Sequence, residues 1–293
     1  MKLVWAFNPF DDSRKLQQQA VAIVKSLTGA RDSLEAVYVA SPVEIELATA
    51  FDVPFAARFT THPTTLVERA IRKLGFKKMK ATVLTHDSVS LTSSVRALAA
   101  HTAAAKADIT LLASHARKGV SRLFLGSFAE TLVPLSKTDL LVFHENTRSA
   151  KRAPRTLLFA HDLTREGDRG FEKALGYAKR WKCALHVIHV PEPAYGIHFD
   201  DQNARVESYR KRVRTKVAAL EARLKRARVE GSVVIDMRWA PISELILSQA
   251  QRVHADLLLV FAKSGRLAGM LGGSVTRQVL RASVAPVLVL KAG

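Results

Sequence analysis

The segment from Lys106 to His144, KADITLLASHARKGVSRLFLGSFAETLVPLSKTDLLVFH, is matched by HADLLLVFAKSGRLAGMLGGSVTRQVLRASVAPVLVLK from His254 to Lys291. Each copy runs through an Ala-Asp pair, an apolar strand, a basic loop containing glycine, a Gly-Ser pair, a short helix and a second strand. Upstream, KLVWAFNPFDDSRKLQQQAVAIVKSL parallels RTLLFAHDLTREGDRGFEKALGYAKR, each a strand, a polar turn and an amphipathic helix. Both halves begin and end alike, so the fold must be one supersecondary plan used twice.

Within each plan, short β-branched or leucine-rich runs alternate with helical patterns. The first half predicts strands at Lys2–Phe7, Leu34–Val39, Lys80–Thr85, Ile109–Ala113 and Thr138–His144, with helices near Asp11–Leu27, Pro63–Leu74, Leu91–Ala104 and Ser127–Leu135. The second predicts strands at Arg155–Ala160, Ala184–Val190, Ser232–Arg238, Leu257–Phe261 and Pro286–Leu290. Near-continuous apolar strands separated by helices imply an α/β fold whose parallel sheet is covered on both faces, with right-handed crossovers. The polar, basic stretch ENTRSAKRAP has no apolar periodicity and reads as a linker. The domains expected are therefore 1–144 and 155–293, joined by 145–154, each of ordinary domain size.

Several function classes drop out early. The longest apolar runs, such as ADLLLVFA, are strand-length and fall far short of the roughly 20 residues of a membrane helix. The N-terminus lacks the apolar core and cleavage site of a signal peptide, so a cytoplasmic location is expected. Cys183 is the only cysteine, which excludes an intramolecular disulfide and an all-cysteine metal site; it opens an apolar run and reads as a buried small hydrophobe. The net charge of +19 favours anionic partners and is uneven, with 18 Lys and Arg against 12 acids up to His144 but 27 against 14 beyond it.

The loop ASHARKGVSRLFLGSFAE, Ala113 to Glu130, joins a strand to a helix and has the form of a phosphate loop. Phosphate is held well by backbone N–H groups at a helix N-terminus, where unpaired donors and the helix dipole both favour an anion. Glycine there lets the backbone approach closely and supplies positive φ where the turn needs it.

On these residues both halves resemble universal stress protein domains, and the resemblance covers essentially the whole chain. It implies two repeated, doubly wound five-stranded parallel sheets in order 3-2-1-4-5 with helices on both faces, packed as an intramolecular pseudo-dimer through edge-to-edge pairing of the final strands. It also implies an ATP site built on a Gly-x2-Gly-x9-Gly-Ser/Thr loop, a carboxylate ending the first strand and a small apolar residue near the end of the second. In the first half Ala113 and Ala116 stand at the first two glycine positions, Gly126 and Ser127 keep the loop end, Asn8 replaces the acid and Val39 occupies the small apolar position. Arg117, Lys118 and Arg122 either supplement phosphate binding or form a solvated basic face. The second half keeps the acid as Asp162, with Val190 on the second strand and Gly273 and Ser274 at the loop end. There Phe261 and Ser264 replace the first two glycines, the Asp256-to-Gly273 span is one residue shorter, and Gly265, Gly269 and Gly272 lie elsewhere in the loop. Phe261 is expected to project where a ribose or base would sit, leaving the second site empty or altered.

Other constellations read as structure. Ser114 and His115 are adjacent without a nucleophile elbow, and a Walker loop and a GxGxxG fingerprint are both lacking. His186 and His189, three apart on a strand, face opposite sides and cannot share a metal. From Asp201 to Arg228 an apolar stripe of Val206, Tyr209, Val213, Val217, Leu220 and Leu224 accompanies ten Lys or Arg against three acids, which leaves either a solvated face or a surface for an anionic partner. Phe51, Phe55 and Phe59 after strand 2, with PEPAYGIHF in the second half, place aromatic residues beside the presumed cleft. The expectation is a non-catalytic stress-response protein that binds ATP or phosphate weakly, mainly in the first half, with magnesium only as a companion of ATP. An apolar or acyl ligand and slow ATP hydrolysis are the alternatives.

Overall fold

A computed structural model describes all residues except 12, 43–62, 115–125, 149, 151, 192–201, 263–273 and 293. In chain order the first half is β1 (Lys2–Ala6), α1 (Arg14–Leu27), β2 (Ser33–Ala40), α2 (Pro63–Lys73), β3 (Lys80–Thr85), α3 (Leu91–Ala104), β4 (Ile109–Ser114), α4 (Ser127–Leu135) and β5 (Asp139–His144). The second is β6 (Thr156–Ala160), α5 (Arg165–Trp181), β7 (Ala184–His189), α6 (Gln202–Ala227), β8 (Val233–Ile235), α7 (Ile242–Arg252), β9 (Leu257–Phe261), α8 (Ser274–Ala282) and β10 (Val287–Leu290). Helix starts follow local chemistry: the Ser13, Ser90 and Thr164 hydroxyls accept from the N–H three residues on. Among the described residues no helix is long and apolar enough to cross a membrane.

Each half has strand order 3-2-1-4-5, and antiparallel pairing of β5 with β10 joins them into one ten-stranded sheet, β3-β2-β1-β4-β5-β10-β9-β6-β7-β8. The joining pair is formed by the final strand of each half, edge to edge. Period-2 alternation sends Leu3, Trp5 and Phe7 to the face covered by α1 and α2, and Leu157 and Phe159 to the same face under α5 and α6. Val4, Leu158 and Val260 point to the other face, under α3, α4, α7 and α8. Both cores therefore run across the seam. Cys183 is buried, and burial pushes its thiol up to about 11, so it acts as a hydrophobe.

The seam centres on Leu141 opposite Leu288, and its two ends differ. At one end buried Asp139 accepts from the Lys291 N–H at 2.8 Å, Lys173 Nζ at 2.5 Å and the Tyr177 hydroxyl at 2.8 Å. At the other end Pro286 stands in the place of Asp139, and the His144 N–H donates to Thr147 Oγ1 at 2.9 Å. The stretch read as a linker is well tethered here, since Gln19 Nε2 donates to the Glu145 and Thr147 carbonyls and the Arg148 N–H to Val284.

One boundary differs substantially from expectation. β8 spans three residues rather than Ser232–Arg238, because its partner β7 ends at His189 and the Asp236 N–H makes the last bond, to the His189 carbonyl. Beyond it Arg238 turns back to clasp the Asp236 carboxylate at 2.7 Å, holding that acid below its usual range.

Candidate functional sites at the carboxyl ends of the strands

Open parallel sheets leave a crevice at the carboxyl ends of the strands where the order reverses, between strands 1 and 4. Each half has one. The first, a cavity of about 460 Å³, lies among the ends of β1, β2 and β4 and the starts of α1, α3 and α4. Its lining is mostly apolar, with Trp5, Phe7, Tyr38, Leu112 and Phe128 prominent. Trp5 and Phe7 meet edge to face with ring centroids 4.8 Å apart.

Asn8, Val39 and Ala113 all line this cavity. The Asn8 side chain is engaged, however: its Oδ1 accepts from the Phe10 N–H at 2.9 Å, so it fixes the turn out of β1. Gly126 is the N-cap of α4 and provides no side-chain cap, so among the described residues the first turn has no capping side chain. Its own N–H is taken by Ser114 Oγ at 2.8 Å. Ser114, on the last position of β4, thus ties the far end of the loop to the strand. Ser127 is exposed and opens α4, while Phe128 lines the cavity. Ala116, Arg117, Lys118 and Arg122 lie outside the described residues, as do Phe51, Phe55 and Phe59.

The second cavity, of about 480 Å³, has Asp162 and Val190 in its lining, together with His161, Thr164, Gly167, His189, Phe261 and Thr276. Asp162 Oδ1 accepts from the N–H of Thr164 at 3.0 Å and from its hydroxyl at 2.7 Å, so this acid also shapes a turn. Phe261 borders the cavity but folds toward α5, where Gly170 makes room: a Cβ on Gly170 would stand 2.9 Å from Phe261 and 2.8 Å from Phe159. Gly265 and Gly273 lie outside the described residues; Ser274 begins α8.

The least expected group is His161. It is buried, its Nδ1 accepts from the Leu163 N–H at 2.7 Å, and its Nε2 faces Asp168 Oδ1 at 3.4 Å. Burial pushes its pKa down to about 4 against the attraction of Asp168, so the ring is neutral with its proton on Nε2. The Leu163 backbone is left-handed, at φ 58°, and its bond to His161 holds this uncommon conformation. Asp168 is otherwise neutralised by Lys216 at 2.5 Å and Arg223 at 3.6 Å from α6. Gly167 permits the close approach, since a Cβ there would fall 2.2 Å from Asp162 Oδ1. Sequence reasoning missed His161, Trp5 and Phe7, although alternation along KLVWAF and TLLFAH marks all three as neighbours of the strand end. His186 bonds Ser232 Oγ at 2.8 Å and His189 the His161 carbonyl at 2.9 Å; the two do not converge. Among the described residues no group of three or more His, Cys, Asp or Glu is placed to hold a metal ion.

Two doubly wound halves, each with a crevice at its switch point and paired through their last strands, define a class of tandem α/β proteins. The sequence profile of the universal stress protein family matches residues 2–144 and again 154–291. The chain belongs to the universal stress protein family. A universal stress protein from Archaeoglobus fulgidus DSM 4304 shares the fold over 99% of this chain and 96% of its own, at 19% identity and a TM-score of 0.65. A functionally unknown protein from Pseudomonas aeruginosa PAO1 does so over 99% and 92%, at 17% identity and a TM-score of 0.63. A universal stress protein from Archaeoglobus fulgidus in complex with dAMP matches 46% of this chain and 95% of its own, at 17% identity and a TM-score of 0.33. No match was found among curated proteins.

Proposed function

We propose that this chain is a non-catalytic, cytoplasmic stress-response protein whose first-half crevice takes a nucleotide weakly. The observation that carries this reading is the α4 start, a helix N-terminus without a side-chain cap beside an aromatic, apolar cavity. The backbone donors suit a phosphate and the Trp5–Phe7 floor suits a flat ring. Two engaged groups argue for weakness: the Gly126 N–H serves Ser114, and Asn8 Oδ1 serves Phe10. We assign Asn8, Val39, Ala113, Ala116, Arg117, Gly126 and Ser127 to this site, with ATP bringing magnesium only as its own counter-ion. Asp162, Val190, Gly265, Gly273 and Ser274 form the altered second site. On this reading 1–144 and 155–293 are the two family domains, held as a pseudo-dimer, and the second turns a cationic helix toward an anionic partner.

Calorimetry with ATP and magnesium tests the nucleotide site. Replacing Ala113 and Ala116 together by glycine should tighten binding, because a methyl near the phosphate crowds it, and Ser127→Ala should weaken it. Tight binding by the parent, unchanged by the glycines, would overturn the claim of a weakened site. The aromatic lining also favours a second reading, an apolar or acyl ligand, which a fatty acid that quenches Trp5 fluorescence and resists competition by ATP would support. Slow hydrolysis is disfavoured because Asp11 is the one side chain charged at neutral pH among the described lining residues of the first cavity.

A further inference from the structure

We propose that the outward face of α6 is a docking surface for double-stranded nucleic acid, gripped through its phosphate backbone and not through its bases. The proposal rests on the reading of α6 as an anion-facing helix and names the partner. Two kinds of cation occur on this helix. Lys216 and Arg223 turn inward and are neutralised by Asp168 and Glu172 of α5, with Arg223 also lying over the Phe171 ring at 4.6 Å. Lys211, Arg212, Arg214, Lys225 and Arg226 are exposed. Arg210 is paired with Glu207 one turn back, and Glu221 is the other described acid of the helix.

The outward cations fall in two groups. One covers residues 211–214 and the other 225–226, and between them the exposed positions are Thr215, Ala218, Ala219, Glu221 and Ala222, so a single acid stands within the face. From Arg214 to Lys225 the helix advances about 16 Å, enough to bridge a major groove about 12 Å wide and reach phosphates on both sides. Four of these five side chains are small and let a rigid surface come close, and Glu221 sits one turn before Lys225, at the spacing of a helix ion pair. Lys211 and Arg214, three residues apart, repel one another in the free protein, so this arrangement does nothing for the helix and is relieved by an anion.

The same face excludes rivals. An interfacial membrane helix needs large apolar residues beside its cations, but Val213, Leu220 and Leu224 are buried against the second half. Single strands are held by stacking on aromatic rings, and the described outward positions carry none. Cations spaced to straddle the groove meet phosphates and not base edges, which predicts binding indifferent to sequence.

The test is fluorescence anisotropy of the full chain with a labelled mixed-sequence DNA duplex across a salt series. Lys211→Gln, Arg212→Gln and Arg214→Gln together, and separately Lys225→Gln with Arg226→Gln, keep helix propensity while removing charge. Each set should weaken duplex binding by at least about tenfold at low salt and flatten the salt slope by about 0.9 per cation removed. Lys77→Gln with Lys78→Gln, equally exposed in the first half, should leave binding unchanged. Equal weakening by that control would overturn the proposal, as diffuse charge would then suffice. Binding of polyphosphate, anionic vesicles or single strands without the duplex would overturn the choice of partner alone. Binding of no polyanion would overturn both the partner and the anion-facing reading of α6.

Discussion

The two ends of the central seam are related by the pseudo-twofold yet are built from different chemistry. At one end a buried carboxylate, Asp139, gathers a backbone N–H, an ammonium and a phenol; at the other, Pro286 has no acceptor in its side chain and Thr147 supplies a hydroxyl instead. The strand-1 ends diverge in the same manner. Phe7 and His161 occupy the same register, each donating its N–H to the neighbouring strand at 2.9 Å, and Leu16 and Gly167 both follow three residues after the N-cap. The first half thus has Phe7 and Leu16 where the second has a neutral histidine and a glycine, and the uncharged Asn8 and Gln17 where the second has Asp162 and Asp168. Duplication has kept the frame and let the polar interior drift, because backbone pairing depends little on side-chain identity whereas each buried polar group needs its own partner.

The largest expected effect concerns the seam. Asp139→Ala strands the Lys291 N–H and the Lys173 and Tyr177 donors, and should cost roughly 3–5 kcal/mol in urea unfolding. Thr147→Val, at the opposite end, should cost only about 1 kcal/mol. Equal losses would mean that the two ends are equivalent after all.

His161 gives the next effect. Its folded pKa, about 4, lies below the usual 6.5, so the unfolded chain binds the proton more readily between those values. Stability should therefore fall as pH drops from 6.5 to 4, by about 3 kcal/mol from this group. His161→Phe, which gives the second half the residue of the first, should flatten that part of the pH profile. An unchanged profile would show that the ring does not titrate this way.

Gly167→Ala should destabilise by roughly 1–3 kcal/mol, since its Cβ would meet Asp162 and the His161 ring at 2.2 and 2.9 Å. On the same helix a Cβ at Gly176 meets nothing within 4 Å, so Gly176→Ala should stabilise by about 0.5–1 kcal/mol. Thermal melts of the pair separate crowding at the crevice from ordinary helix propensity.

The sequence by itself determined the order of elements, the repeat, the facing of residues along each strand and the positions of Asn8, Val39, Ala113, Asp162 and Val190 at the crevices. These follow from short-range rules: alternation, helix caps and the spacing of a copied segment. What only the tertiary structure decided is which partner each polar group found. That the Gly126 N–H is spent on Ser114, that Asn8 and Asp162 hold turns, that Lys216 and Arg223 face inward while Arg214 and Lys225 face out, and that β8 stops after three residues all depend on atoms brought together from distant positions. Hydrophobic periodicity is written locally along the chain, but a hydrogen bond is satisfied only in space, and its partner is set once the sheet has closed.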